Sequence, residues 1–306
     1  MSEHIVHTGI IEDSIALLPY IKSIPKEFTE AVQRHISFAR LGSITVAGDS
    51  FSFKLLEEYK PLWKNRDDLL EAKLSFVVGW ISHRACDRQM KPIWNVAEIL
   101  GRGSDADPSI SPTETSVYHE AALYNIYYST NAIFRNAIFP DQLQSWPGAE
   151  IVNLPLLSEF IESSFGMNML NIQTFPLPPA VSAQTFMENV CLSSQKFYVN
   201  VERYANAIKY LIAENKKNFV RDINWFSSED EIIKIALELR QGKNPDAANV
   251  EKALKAGAES HYAQGLLLSL SYITAASDYL ITDSMNLDTL KERLDIGKKG
   301  RLGMSV

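Results

Sequence analysis

Apolar residues recur at three- and four-residue intervals along most of the chain, and no stretch sustains the strict apolar–polar alternation of a half-buried strand. The pattern predicts an all-α fold of about ten helices. The first runs from Val6 to Ile21 and the second from Pro25 through Lys26 to Phe38, starting at a proline whose fixed φ suits a first helical turn. Leu41 to Asp49 reads as a helix end running into a turn, and Phe51 to Trp63 and Arg66 to Cys86 read as further helices. Pro92 is expected to end the helix before it, because its ring removes a donor and restricts the preceding residue, with a short helix then reaching Leu100. The stretch GRGSDADPSISPT is the clearest loop. A tyrosine-rich helix is expected from Thr113 to about Phe139, with breaks at Pro140 to Pro155 and Thr174 to Pro179. Four helices follow: Ala183 to Lys216, Ser228 to Gln241, Ala247 to Ala258 and Glu259 to Ile281. Ser228 and Glu231 have capping-box spacing.

This organises the chain into a helical core over residues 1–140, a helical region over 141–293 packed on it, and a flexible, solvated tail over 294–306 that contains KKGR. No internal repeat is evident.

Composition changes little in that picture but excludes several classes. With 46% hydrophobic and 22% charged residues, 306 residues can bury a core without covalent staples. A net charge of -7 argues against a stable nucleic-acid partner, which would call for clustered lysines and arginines. Cys86 and Cys191 have no metal-ligand spacing, so buried thiols are expected, with a disulfide between them left open. No membrane span is expected, since even the most apolar segment, Gly265 to Ile273, falls far short of the length required. The N-terminus lacks a basic region followed by an apolar run and reads as mature, cytoplasmic protein.

The candidate chemistry centres on Ser75 to Trp94, SFVVGWISHRACDRQMKPIW. His83 and Asp87 stand four residues apart, so on a helix an imidazole and a carboxylate leave the same face. Two readings are open: a self-satisfied internal pair, or two ligands delivered to a cation by one rigid element. Of the six histidines, only His261 lies beyond position 119, which assigns any histidine chemistry to the first half. Arg84 and Arg88 point about 100° away from the His83–Asp87 face, Arg88 toward solvent or a structural partner. Tyr118 and Trp94 could pack in the core or wall a pocket.

Four segments carry a resemblance. HTGIIEDSIALL at His7, FARLGSITVAGD ending in Asp49, VVGWISHRACD at His83 and Asp87, and VYHEAALYNIYY at His119 resemble, in order and approximate spacing, the zinc-dependent phospholipase C family. The most specific piece is glycine, aromatic, two residues, histidine, three residues, aspartate, from Gly79 to Asp87. The resemblance implies an orthogonal helical bundle of the phospholipase C and single-strand nuclease type, with a helical C-terminal extension. It implies that His7, Asp49, His83, Asp87 and His119 bind zinc, Asp49 also orienting or deprotonating a water. It implies hydrolysis of a small phosphoester or a phospholipid head group.

The chain departs from the family pattern where Lys91 replaces a histidine and Leu123 a glutamate, with Glu120 the nearest carboxylate, and no histidine lies between Asp49 and His83. A catalytic zinc takes about three protein ligands plus water. The five donors therefore suffice for one ion, or for a pair bridged by Asp87 or Asp49. Lys91 could occupy part of the vacated space beside the carboxylates. The alternative is a helical scaffold or binding protein of the same fold whose metal site has decayed.

Overall fold

Helix α1 (His4–Leu17) has no face to give to solvent, and residues 6–15 are all buried. Its apolar residues and its polar ones, His7, Thr8, Glu12, Asp13 and Ser14, are buried alike. The computed structural model of the protein describes residues 4–44, 49–100, 119, 122–123, 126–127, 224–282 and 285–297. Among the described residues every element is helical and none is a strand.

Pro25, in extended conformation, leads into α2 (Lys26–Arg34), which buries Phe28, Thr29, Ala31 and Val32. The single helix expected from Lys26 to Phe38 is in fact two, because the backbone leaves helical geometry at His35 and restarts as α3 (Ile36–Ile44). Neither glycine nor proline marks this break. Arg34 and His35 are instead held by Glu71 and Asp68 at the start of another helix, and the turn lets the small residues of α3 face that helix. α4 (Asp49–Tyr59) leads into a tight 3₁₀ segment, Lys60–Asn65, that buries Trp63.

α5 (Asp68–Leu100) begins where the Asp67 carboxylate accepts the Leu70 N–H at 2.8 Å. It runs straight through Pro92, correcting the expectation that Pro92 ends it. Proline within a helix forfeits one backbone hydrogen bond at about 3 kcal/mol. Burial of Met90 and Ile93 on either side opposes that loss and holds the continuing helix against the core.

α6 (Glu231–Arg240), α7 (Ala247–Lys255), α8 (His261–Ile281) and α9 (Leu287–Asp295) complete the described elements. The capping box expected at Ser228 and Glu231 does not form, and Asp230 takes the N-cap position of α6. Its carboxylate reaches across to the start of α8, accepting from the backbone of Glu259 at 2.8 Å and Ser260 at 3.1 Å and from the Ser260 hydroxyl at 2.5 Å. Ser260 in turn caps α8 by accepting from Ala263 N–H.

α8 packs along both α1 and α5, and the three helices meet at a chain of buried hydroxyls: Ser269 is 2.8 Å from Ser14 and 3.0 Å from Ser82. Residue 294 does not open a solvated tail. Leu294 is fully buried in α9, its carbonyl accepts from Arg84 and Arg88, and Asp295 pairs with both arginines. Gly297, at φ +78°, then turns the chain in a conformation that suits glycine.

Among the described residues no helix is long and apolar enough to cross a membrane. The loop after Gly101, most of the helix expected from Thr113 to Phe139, both proline-marked breaks, the helix from Ala183 to Lys216, Cys191 and residues 298–306 lie outside the described residues. Cys86 is buried.

Candidate metal centre

α3 crosses α5 at a pair of glycines. A Cβ on Gly42 would overlap the carbonyl oxygen of Phe76, and one on Gly79 would overlap that of Ala39. Such contact requires residues without side chains. The close crossing brings the carbonyl of Ser43, one residue beyond Gly42, to 2.7 Å from His83 Nδ1, one turn beyond Gly79.

A carbonyl oxygen only accepts, so Nδ1 carries the hydrogen. In the neutral ring Nε2 is therefore a lone pair, and it lies 3.3 Å from Asp87 Oδ2. From α1, His7 Nε2 lies 3.4 Å from Asp87 Oδ1. The two imidazoles stack almost parallel, at 7° and 4.0 Å between centroids. His7 and His83 are buried, while Asp87 keeps 17% of its side chain exposed and so marks the open side of the cluster.

Charge bookkeeping limits what this cluster can hold. Two imidazolium rings about 4 Å apart would repel by about 4 kcal/mol at an effective dielectric constant of 20. Burial alone would raise the Asp87 pKa, but the opposing charge of His83 and the two imidazoles directed at its oxygens outweigh burial and hold the carboxyl well below its usual range. Asp87 is thus an anion faced by two ring nitrogens and by the Lys91 ammonium.

His7, His83 and Asp87 each offer a donor atom, all within 4.8 Å of one another, a group that could hold a metal ion such as zinc. Ligands of a tetrahedral ion bonded at about 2.0–2.1 Å stand about 3.4 Å apart, close to the separations above, although these engage the two different oxygens of Asp87. The Ser43 carbonyl makes the hydrogen bond at the far ring nitrogen that a histidine ligand would need to fix its tautomer.

Of the five residues singled out in the sequence, the structure gathers His7, His83 and Asp87. Asp49 is the first residue of α4, and its side chain lies outside the described part. His119 is not brought into the group. Its buried ring stacks on Trp225 at 4.7 Å and 22°, and burial first, then the charge of His261, lowers its pKa to about 3. Leu123 and Tyr127, one and two turns further on, lie over Gly9 of α1. Tyr118 and the side chain of Trp94 lie outside the described residues. Lys91, one turn beyond Asp87, donates to Asp87 Oδ2 while its own side chain remains 58% exposed. Arg84 and Arg88 are committed to Asp295 and the end of α9.

Two further polar clusters went unread in the sequence. His35, Asp68 and Glu71 approach one another, but both Glu71 oxygens are engaged by arginines, Arg34 at 2.5 Å and Arg66 at 3.0 Å, so the cluster is an ion-pair knot at the α2–α5 junction. The other is wholly buried. Arg240 of α6 donates to Asp13 at 2.5 Å and to the Gly9 carbonyl at 3.1 Å, and lies 3.2 Å from Glu12, which also accepts from Arg40 at 2.8 Å. Tyr127 and Tyr262 donate to the other Asp13 oxygen at 2.9 and 3.0 Å. Burial raises the Asp13 pKa even against Arg240 and Tyr127, which act to lower it. Two adjacent acids inside the apolar run IIEDSIALL were the available signal, since such a pair in a buried helix demands buried cations.

The aromatic side chains around this network also bring distant parts of the chain together: Tyr127 meets Phe226 at 6.0 Å and Tyr262 at 5.8 Å between ring centroids. No protein-family model matches the chain, and no curated protein or solved structure matches it.

Proposed function

We propose that the protein is a metal-dependent phosphoric-ester hydrolase resembling the zinc-dependent phospholipases C, with His7, His83 and Asp87 holding one zinc ion. The observation that carries this reading is the meeting of two imidazole nitrogens on one carboxylate, with the outer nitrogen of His83 already committed to Ser43. Three protein ligands leave a coordination position for water or substrate. Bound there, zinc would supply a water nucleophile at neutral pH and Lewis acidity toward a phosphoryl oxygen.

The chain's own residues do the rest. Ser43 fixes the His83 ring, the Gly42–Gly79 crossing fixes Ser43, and Asp87 presents the open side of the cluster. Asp49 is assigned the orientation or deprotonation of water on the resemblance alone, and a second, bridged ion would also involve that residue. The substrate proposed is a small phosphodiester or a phospholipid head group, and the fold a phospholipase C-like bundle extended by α6 to α9.

One contact favours a second reading. Lys91 already neutralises Asp87, as it would in a helical scaffold or binding protein whose metal site has decayed. Metal analysis of protein purified without added zinc separates the two. A stoichiometric transition metal lost in His83→Ala, with hydrolysis of a chromogenic phosphodiester or phosphocholine ester lost in Asp87→Asn, supports the hydrolase. Absence of both from a folded protein leaves the scaffold.

A further inference from the structure

The Asp87 carboxylate has two oxygens and three partners: His7 faces Oδ1, while His83 and Lys91 share Oδ2. Lys91 follows Asp87 by one helical turn, so its ammonium approaches from the same face of α5 that presents His83. A divalent cation among His7, His83 and Asp87 would meet this fixed positive charge at an oxygen that it also needs. Both cannot hold Oδ2 at full strength, because like charges within a few ångströms repel and the cluster is largely shielded from water. The lysine has somewhere to go. Its side chain is 58% exposed, so solvent can receive the ammonium when it leaves Asp87.

We infer that Lys91 is a resident cation that competes with the metal for Asp87, holding the site closed by charge until a divalent ion displaces it. The inference rests on the metal-site reading above and adds its regulation. The lysine keeps the carboxylate neutralised when no metal is bound and sets a threshold below which free zinc does not load the protein. Once displaced, its ammonium stands beside the open side of the site as a partner for an anionic group such as phosphate.

The test is metal affinity, read without any turnover. Full-length wild type, Lys91→Gln and Lys91→Arg are stripped of metal and titrated with Zn²⁺ against a chromophoric chelator, with circular dichroism recorded for each. The Lys91→Gln protein is expected to bind Zn²⁺ about tenfold more tightly than wild type, a size consistent with losing one partly screened ion pair. Lys91→Arg, which keeps the charge, is expected to stay within about threefold of wild type. Equal affinities for wild type and Lys91→Gln overturn the competition while leaving the metal site standing. Tightening by Lys91→Arg as large as that by Lys91→Gln overturns its electrostatic basis. Stoichiometric binding in none of the three folded proteins overturns both the competition and the metal-site reading.

Discussion

Gly42 and Gly79 each occupy the place where the other helix's backbone passes, and the position of the Ser43 carbonyl against His83 follows from that contact. Alanine at either position must push α3 and α5 apart. Gly79→Ala is expected to lose about 1–3 kcal/mol of stability, the range for overpacking a tight interior. Urea denaturation gives the number, and an unchanged midpoint would mean that the helices do not cross this closely.

The buried network around Arg240 supports a second expectation. Removing its guanidinium leaves Glu12 and Asp13 short of a partner in the interior, and breaking a buried pair from one side costs about 3–5 kcal/mol. Arg240→Met should show a loss of that order in chemical denaturation. Adding Asp13→Asn removes one stranded charge, so the double variant should recover part of the loss.

His119 gives a pH dependence of definite sign. Its folded pKa is depressed from 6.5 to about 3, so between those values the unfolded chain takes up a proton that the folded state refuses. His119 therefore destabilises the fold as pH falls from 6.5 toward 3 and has no such effect above that window. The wild type should lose more stability than His119→Gln between pH 7 and pH 5, by denaturant midpoints. At the proposed zinc site the same variant should bind Zn²⁺ as the wild type does, since His119 stands against Trp225 and outside the His7–His83–Asp87 group.

Asp230 links two helix starts. Its carboxylate accepts three hydrogen bonds at the N-terminus of α8, and Asp230→Ala should cost about 1–2 kcal/mol, the upper range for a lost cap. Thermal unfolding would read this directly, and a shift no larger than that of an exposed control such as Asp288→Ala would refute the assignment.

The sequence carried the helical class, because apolar spacing is a local signal, and it carried the His83–Asp87 pair, because four residues on a helix make one turn. It did not carry the break at His35, where no punctuating residue stands and the turn depends on acids more than thirty positions away. Pro92 misleads for the converse reason: a strong local signal is overridden by tertiary packing around it. The partners of Glu12 and Asp13 were illegible, since Arg240 and Tyr262 come from the far end of the chain. Ser43 contributes a backbone carbonyl, and no residue type announces that.

The contact between Tyr127 and Phe226 has a topological corollary. The two rings meet at one spot although they lie far apart in the chain, so positions 127 and 226 are held together. The helices that carry His7 and His83 and the helices of the C-terminal part are therefore tied by this aromatic contact as well as by the chain between them.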